Sequence, residues 1–402
     1  MITVNIFNDK SQLTGPRKYI EEVREHYKIR KKNYFWSQAY RKGYWDGYIR
    51  YISDVNGLVS TGLIPEVCEV MKKLDIPFEI EDKRDKFKPM ELITEIAGDK
   101  LRDYQLDAVK ACIDNKLYGI RFTRGICWAA TNAGKSYIMA GVFASYSNKR
   151  RGILLIDNSE IYVQLVEDFK AFFPDEVGCI DSDHLVLDKR ITVCMVQTLA
   201  NRTRKMPKVV QFLQQQDMVI VDECDTCTTS YYKTVLGKLH NASLRLGFTG
   251  TFLMRKDKTK DKEVTAYFGS VLYRISNQDL IEKGVSMNAT IKMFLGSDGI
   301  KVKGDWKAEY DAAIVNNKRR NKKVWRRALA NYEKGRLPMV IMFKYKEHAK
   351  KLMKLIPEEL SHLTVDYVHS GISDGHRRNI ISRFKEGKLD ILLASFILKR
   401  GK

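Results

Sequence analysis

The 402-residue sequence predicts an α/β protein, with a small α+β block in front of two blocks in which short strands alternate with helices. Three observations predict it. From Leu101 onward, nearly continuous apolar runs such as "RGILLIDNS" and "DMVIVDE" alternate with longer segments of helical periodicity, as strands buried on both faces of a parallel sheet do. Before that point the strand-like stretches are short and broken by turn signals. After the charged stretch "MRKDKTKDKEV" a second series of strands and helices begins.

The front block spans 1 to 95. It opens on "MITVNIFNDK", which alternates like a half-buried strand and lacks the basic-then-apolar layout of a signal peptide. A charged helix is expected near Pro16 to Lys28. In "KKNYFWSQAYRKGYWDGYIRYISDVNGLVSTGLIPEV" the breaks at Gly43, Asp46-Gly47 and Asn56-Gly57 predict one or more hairpins. The second block, 96 to 280, supplies five strand runs, "GICWAA", "RGILLIDNS", "ITVCMVQT", "DMVIVDE" and "LRLGFTGT", which predict a doubly wound sheet. The third, 281 to 402, carries "NATIKMFLG", a basic helix "NNKRRNKKVWRRALANYEKG" and strand runs in "PMVIMFK", "TVDYVHSG" and "LDILLASF". It stops in mid-pattern at Gly401-Lys402 and is expected to be incomplete at its C-terminus.

Composition narrows the function. The formal net charge of +21, from 70 basic and 49 acidic residues, points to a polyanionic partner. Seven cysteines in a chain of this size give no disulfide framework, so a reducing compartment, the cytoplasm, is expected. Cys224 and Cys227 form a CxxC with no second pair or nearby His to complete a metal site and read as buried thiols. No apolar run approaches the length that spans a bilayer, so no membrane association is expected.

The chemistry concentrates at two places. Ala129, four residues (Ala130, Thr131, Asn132 and Ala133), then Gly134-Lys135-Ser136 is the phosphate-loop spacing with alanine for its first glycine. Such a loop needs small residues so that backbone N–H groups approach the anion, a lysine to neutralise charge, and a hydroxyl for Mg²⁺. A plain strand-to-helix turn is the alternative. Downstream, "DMVIVDECD" ends a buried strand on Asp222-Glu223, and carboxylates there are costly unless they face a cation. Asp222 would hold Mg²⁺ and Glu223 would orient or deprotonate an attacking water. A helix cap is the alternative for the pair alone.

Taken in order, Arg102-Asp103-Tyr104-Gln105, "ATNAGKS", "DECD" and "RLGFTGT" resemble the adenine-recognition, phosphate-loop, DExD and coupling motifs of superfamily 2 helicases and translocases, over about Leu101 to Lys402. The resemblance implies two tandem RecA-like motor domains that use ATP with Mg²⁺ in the cleft between them. It implies that Gln105 reads the adenine edge, that Arg102 stacks on its face, and that Thr249, Gly250 and Thr251 couple the nucleotide site to the nucleic-acid track. It also implies DNA contacts from Ser159, Gln164, Gln197 and Thr198 in the first motor domain. In the second, the matching positions are Phe343, Lys344, His369, Ser370, Gly371, Arg377 and Ser395. Asp157 stands where the family has proline. The family's closing motif, whose arginines reach the γ-phosphate, would follow Ser395 by several tens of residues, past the last residue here. The chain as given is therefore expected to bind nucleotide better than it hydrolyses it.

The segment "YRKGYWDGYIRYISDVNGLVSTGLI" ahead of the motor is similar to the front end of the phage UvsW-type DNA helicases. That likeness implies a monomeric enzyme remodelling forked and branched DNA, by fork regression and Holliday-junction branch migration, in phage replication, recombination and repair in the host cytoplasm. Read from its residues, the segment interleaves Lys31, Lys32, Arg41, Lys42 and Arg50 with Tyr34, Phe35, Trp36, Tyr40, Tyr44, Trp45 and Tyr48; cations bind phosphates and rings stack on exposed bases. Trp45 and Tyr48 also read as core residues of the small block. The run from Lys318 to Arg327 is too dense in cations for all of them to share one helix face, so some solvate. A nucleic-acid-binding regulator with a silent motor and an RNA helicase of the same superfamily remain open. A metabolic P-loop kinase leaves the charge and the third block unexplained.

Overall fold

The computed structural model describes residues 1–84, 91–251, 258–288, 290–294, 305–369 and 371–395. The chain packs as two units, Met1–Asn288 and Ala289–Lys402.

The first unit begins with β1 (Ile2–Ile6), β2 (Lys10–Thr14), α1 (Arg17–His26), β3 (Lys28–Arg30), α2 (Gln38–Arg41), β4 (Tyr48–Arg50), β5 (Leu58–Ser60), α3 (Ile64–Lys73) and β6 (Phe78–Asp82). The alternation of the opening residues does make a strand: Ile2, Val4 and Ile6 are all buried. The sheet order is β5-β2-β1-β6, with β6 parallel to β1 and the other pairs antiparallel. The turn at Asn56-Gly57 returns Ile52 alongside Val59, and Gly57 is required there because a Cβ would lie 2.2 Å from the Leu13 carbonyl oxygen. A separate two-stranded ribbon, β3 with β4, brackets residues 31–47. Trp45 and Tyr48, read as core residues, lie outside this block's apolar core and are half-buried, because the ribbon stands off the sheet.

Two short hairpins, β7 (Glu95–Ile96) with β8 (Asp99–Lys100) and β9 (Lys116–Leu117) with β10 (Ile120–Arg121), flank α4 (Asp103–Ile113). There follow β11 (Arg124–Ala129), α5 (Lys135–Ala144), β12 (Gly152–Ile156), α6 (Ser159–Phe172), β13 (Val177–Ile180), β14 (Ile191–Met195), α7 (Val196–Lys205), α8 (Pro207–Gln214), β15 (Met218–Asp222), α9 (Ser230–Leu236), β16 (Leu244–Thr249), α10 (Lys258–Phe268), β17 (Val271–Ile275) and α11 (Asn277–Glu282). β11 to β17 form one parallel sheet in the order β13-β14-β12-β15-β16-β11-β17. Each face carries its own core: Met218 and Ile220 of β15 join the cluster with Phe143 and Phe169, while Val219 and Val221 join the one with Phe212 and Phe268. Burial on both faces is why the sequence of these strands shows no polar alternation. The five strands expected here are present. The edges β13 and β17 were not expected; the first is four residues long and the second is half-exposed.

The front block is keyed to this sheet. Arg124 and Arg245, register partners on β11 and β16, are each 1% exposed. Burial holds both guanidiniums below their usual pKa range. Arg124 donates to the Asn8 carbonyl, and Arg245 Nη1 lies 3.4 Å from Asp9 Oδ1, so the β1–β2 turn caps both cations. Phe122 belongs to the front block's core, Lys262 of α10 pairs with Glu66 of α3, and a Cβ on Gly62 would meet the Thr265 carbonyl oxygen at 2.2 Å.

In the second unit α12 (Trp306–Tyr310), α13 (Lys318–Tyr332), β18 (Met339–Phe343), α14 (Lys346–Met353), β19 (Val365–Val368), α15 (Asp374–Lys385) and β20 (Ile391–Ser395) follow in order. The sheet is parallel, ordered β18-β20-β19. Trp325 anchors α13, fully buried with its Nε1 donating to the Leu352 carbonyl at 2.9 Å. Along the flank of α13 beside its buried face, Lys318, Lys322 and Arg326, spaced by four, are exposed as one cationic stripe. The described part of "NATIKMFLG", residues 288 and 290–294, carries no regular element.

Candidate nucleotide and nucleic-acid sites

β11 ends at Ala129, α5 starts at Lys135, and residues 130–134 turn the chain at the carboxyl edge of the sheet. Asn132 (φ 71°) and Gly134 (φ 73°) both adopt the left-handed region, open to glycine and tolerated by asparagine. Such residues gather successive N–H groups on one side, and the first turn of α5 adds N–H groups without intrahelical acceptors. Thr131 and Asn132 are exposed and Ala133 is buried. Loop, helix end and Lys135 thus concentrate positive potential where a phosphate chain would fit.

The loop is braced from α4. Gln105, buried, accepts from the Arg102 N–H through Oε1 at 2.9 Å and donates from Nε2 to the Ala133 carbonyl at 3.2 Å. A Cβ on Gly134 would lie 2.4 Å from that Nε2. Arg102 is exposed and its Nη1 donates to the Tyr104 hydroxyl at 3.1 Å. Burial raises the carboxyl of Asp168 on α6, and the neighbouring Ser136 side chain opposes that rise.

Facing the loop, β15 ends on Asp222, 5% exposed, with Oδ1 lacking a hydrogen-bond partner among the described residues. Burial pushes its carboxyl up to about 6; the Lys135 charge opposes this and the Glu223 charge adds to it. A buried acid with an open oxygen fits a cation site. Glu223 has φ 50°, a left-handed backbone uncommon for its residue type. Its Oε1 lies 3.7 Å from Lys135 Nζ and its Oε2 3.5 Å from Thr249 Oγ1. Thr249 Oγ1 also donates to Asp225 Oδ1 at 3.2 Å and accepts from the Thr251 N–H at 3.1 Å. Because β16 lies between β15 and β11, pairing Phe248 with Asp222 and Thr249 with Trp128, the three strand tips end level.

Ser159 and Gln164 are exposed on α6, and Gln197 and Thr198 are half-buried at the start of α7. Both helices follow carboxyl ends of neighbouring parallel strands, with Gln197 Nε2 donating to the Asp157 carbonyl at 3.0 Å to tie the two loops together. In the second unit, Phe343 is 2% exposed and packed with Trp325 and Leu393, so its ring is a core residue in place of the surface contact expected. Lys344 is caged by rings, its Nζ 3.7 Å from the Trp306 centroid and 5.3 and 5.4 Å from those of Tyr310 and Tyr345. His369 is buried, its Nδ1 accepting from the Gly371 N–H at 2.9 Å. Gly371 is exposed, Arg377 donates to the Ile372 carbonyl at 3.3 Å, and Ser395 closes β20 half-buried. Ser370 lies outside the described residues.

Residues 99–254 match the family described as "Type III restriction enzyme, res subunit", and residues 322–402 the "Helicase conserved C-terminal domain". The chain is similar to the ATP-dependent DNA helicase uvsW of Enterobacteria phage T4, 25% identical over 402 aligned positions that cover 93% of this chain and 76% of that protein. The crystal structure of T4 UvsW superposes with a TM-score of 0.55 at 18% identity, covering 98% of this chain and 80% of that one. The chain belongs to the superfamily 2 helicases. A second structure of the bacteriophage T4 UvsW helicase gives 0.54 at 18% identity, covering 68% and 99% of the two chains. The IRC3 protein of Saccharomyces cerevisiae is 28% identical over 326 positions, 75% of this chain and 45% of its own length. The structural likeness, at such identity, speaks to the fold, which is that of a helicase with RecA-like parallel sheets.

This superfamily 2 helicase has three residues beside the nucleotide motifs that motif reading did not single out. Trp128, last but one in β11, donates from Nε1 to the Gly250 carbonyl at 3.1 Å, joining the loop-bearing strand to the Thr-Gly-Thr turn. Asp225 holds Thr249, and Asp168 lies beside Ser136. The signal for Asp225 was present in "DECD"; Trp128 and Asp168 become visible only once distant strands and helices are brought together.

Proposed function

We propose that this helicase is a DNA-stimulated ATPase that translocates on DNA and remodels forks and four-way junctions in phage replication, recombination and repair. The reading takes residues 1–95 as a DNA-engaging block, 96–280 as the ATP-binding motor domain and 281–402 as a second motor domain. The observation that carries it is the 3.7 Å approach of Lys135 to Glu223 beside a buried Asp222 with an open oxygen. Lys135 and the N–H groups of 131–136 would bind the β- and γ-phosphates. Ser136 and Asp222 would hold Mg²⁺, which when bound neutralises triphosphate charge. Glu223 would orient the attacking water and accept its proton. Gln105 has by valence one amide N–H and one lone pair beyond its two bonds to the protein, enough to recognise an adenine edge. Thr249 touches Glu223, Asp225 and the Thr251 N–H, so a change at the γ-phosphate would be felt in the Thr-Gly-Thr turn.

The T4 relative's description as a DNA helicase and the net charge of +21 support DNA as the track. Ser159, Gln164, Gln197, Thr198, Lys344, His369, Ser370, Gly371, Arg377 and Ser395 are proposed to face it. The test is ATP turnover with single-stranded, duplex, forked and four-way DNA, with RNA in the same panel. Lys135→Ala should abolish stimulated turnover and leave DNA binding largely intact, because the lysine serves the phosphates of the nucleotide. Unchanged turnover in that variant removes the proposal.

A further inference from the structure

The excursion at 31–47 and the first residue of β4 together present two kinds of ring. Tyr34, Tyr40, Trp45 and Tyr48 are half-buried and build its frame. Tyr34 packs edge-on against Tyr40 at 4.6 Å, a Cβ on Gly47 would meet the Tyr34 ring at 2.8 Å, and Trp45 Nε1 donates to the Tyr48 carbonyl at 2.7 Å. The base of the ribbon is pinned by Arg50, whose guanidinium is 2.6 Å from Glu25 and 2.7 Å from Asp46. The second kind points outward: Phe35 is 48%, Trp36 67% and Tyr44 83% exposed. None of these three joins an apolar core.

A rigid frame that holds flat apolar faces in water is a docking surface, since folding alone would bury them. Its charge selects the occupant. From Lys28 to Arg50 there are seven cations against one carboxylate, Asp46, and that carboxylate is already paired with Arg50. Arg41 sits 5.2 Å over the Trp36 ring, so a ring face and a guanidinium are offered together. A partner that supplies flat π surfaces and regular negative charge satisfies both features. In a paired duplex the base faces are covered by their neighbours, which leaves only the phosphates to meet such a patch.

We propose that Trp36 and Tyr44 are stacking residues for unpaired bases, by which the front block grips the single-stranded portion of a DNA branch. The inference rests on the DNA-motor reading above. It divides the labour within the excursion: Lys31, Lys32, Arg41 and Lys42 set how tightly any DNA is held, while the two outward rings set the preference for unpaired over paired DNA.

The test uses the whole chain, with a blunt duplex and the same duplex carrying an unpaired oligothymidine arm as probes. Trp36→Ala with Tyr44→Ala should weaken binding to the tailed probe at least tenfold, leave the blunt duplex within twofold, and keep the same slope of affinity against salt, because no cation is removed. Trp36→Phe should recover most of the loss. Equal weakening on both probes, or none on either, overturns the stacking role. So does a loss of binding to anionic phospholipid vesicles in place of the tailed probe, which would make the patch a lipid surface. A thermal midpoint equal to that of the unsubstituted chain shows that the fold survives; a drop in midpoint that accompanies the loss assigns the rings to structure and overturns the proposal. ATP turnover that no DNA stimulates removes the motor reading itself, whereas stimulated turnover with unaltered tailed-probe affinity removes only the stacking inference.

Discussion

Gly134→Ala probes the nucleotide loop most sharply, because its consequence depends on one contact. At φ 73° an alanine is in a region that costs an L-residue about 1–2 kcal/mol. Its Cβ would also stand 2.4 Å from Gln105 Nε2, so that side chain must move and surrender its 3.2 Å bond to the Ala133 carbonyl, about 0.5–1.5 kcal/mol more. Together the loop loses about 2–3 kcal/mol. If the loop stays in place the loss appears as instability; if it relaxes, the loss appears as weaker nucleotide binding. Urea unfolding in saturating ATP–Mg²⁺ captures both, because ligand binding adds to the native state's stability. The same substitution in a Gln105→Ala background has no clash to relieve and should lose only the backbone part, about 1–2 kcal/mol. The expected coupling in this double-mutant cycle is therefore about 1 kcal/mol. Equal losses in the two backgrounds would refute the claim that Gln105 braces the loop through Gly134.

Glu223→Gln keeps the side chain's shape but removes the proton acceptor, so DNA-stimulated turnover should fall by two orders of magnitude or more, about the usual contribution of a general base, while nucleotide affinity stays within a few fold; single-turnover hydrolysis and equilibrium binding separate the two. His348 is buried, donates from Nε2 to Asn321 Oδ1 at 2.9 Å, and has no partner for Nδ1 among the described residues. Burial, with the charges of Arg320 and Lys351, lowers its pKa from 6.5 to about 4. The unfolded chain then binds the proton first, so the stability this neutral ring contributes is full above pH 6.5 and falls by about 3 kcal/mol as pH drops toward 4. Amide exchange in β18 and α14 should follow that window in the parent chain and lose it in His348→Gln. Gly62→Ala would drive a Cβ to 2.2 Å from the Thr265 carbonyl oxygen and 2.8 Å from the Gly269 nitrogen, backbone atoms that cannot swing aside. A loss of about 1–3 kcal/mol and faster proteolysis between front block and sheet are expected, and an unaltered urea midpoint would show that the two surfaces are not held that closely.

What was legible in the chain is what local pattern encodes. Lys135 opening a helix and Asp222 closing a strand follow from apolar runs that end in a polar residue, and both edges sit at those residues. β13 escaped notice because "VGCI" is too short to carry a period, and β17 because it places Arg274 between apolar neighbours. Phe343 looked like a surface contact because its position in a motif says nothing about which way a strand's side chain faces; here it turns into the core behind Trp325. Gln105 read as an adenine contact, yet its bond to the Ala133 carbonyl depends on α4 packing under a loop far along the chain. Trp45 illustrates the opposite error, an aromatic taken as core whose indole serves a local turn while the core is made by Ile2, Val4 and Leu63. Contacts of this kind depend on register and helix placement, which composition does not carry.

Arg124 and Arg245 bear on how such a protein can change over generations. Any alternative front piece that covered the same part of the sheet would have to bring an oxygen to Arg124, as Asn8 does, and a carboxylate to Arg245, as Asp9 does beside the Ala242 and Leu239 carbonyls that Arg245 already holds. Leaving a buried donor without its acceptor costs about 1–3 kcal/mol, and more where the donor is charged. Exchange of the amino-terminal module between related enzymes should therefore succeed only when the two arginines travel with it, making the pair and the turn a heritable unit although they lie more than a hundred positions apart in the sequence.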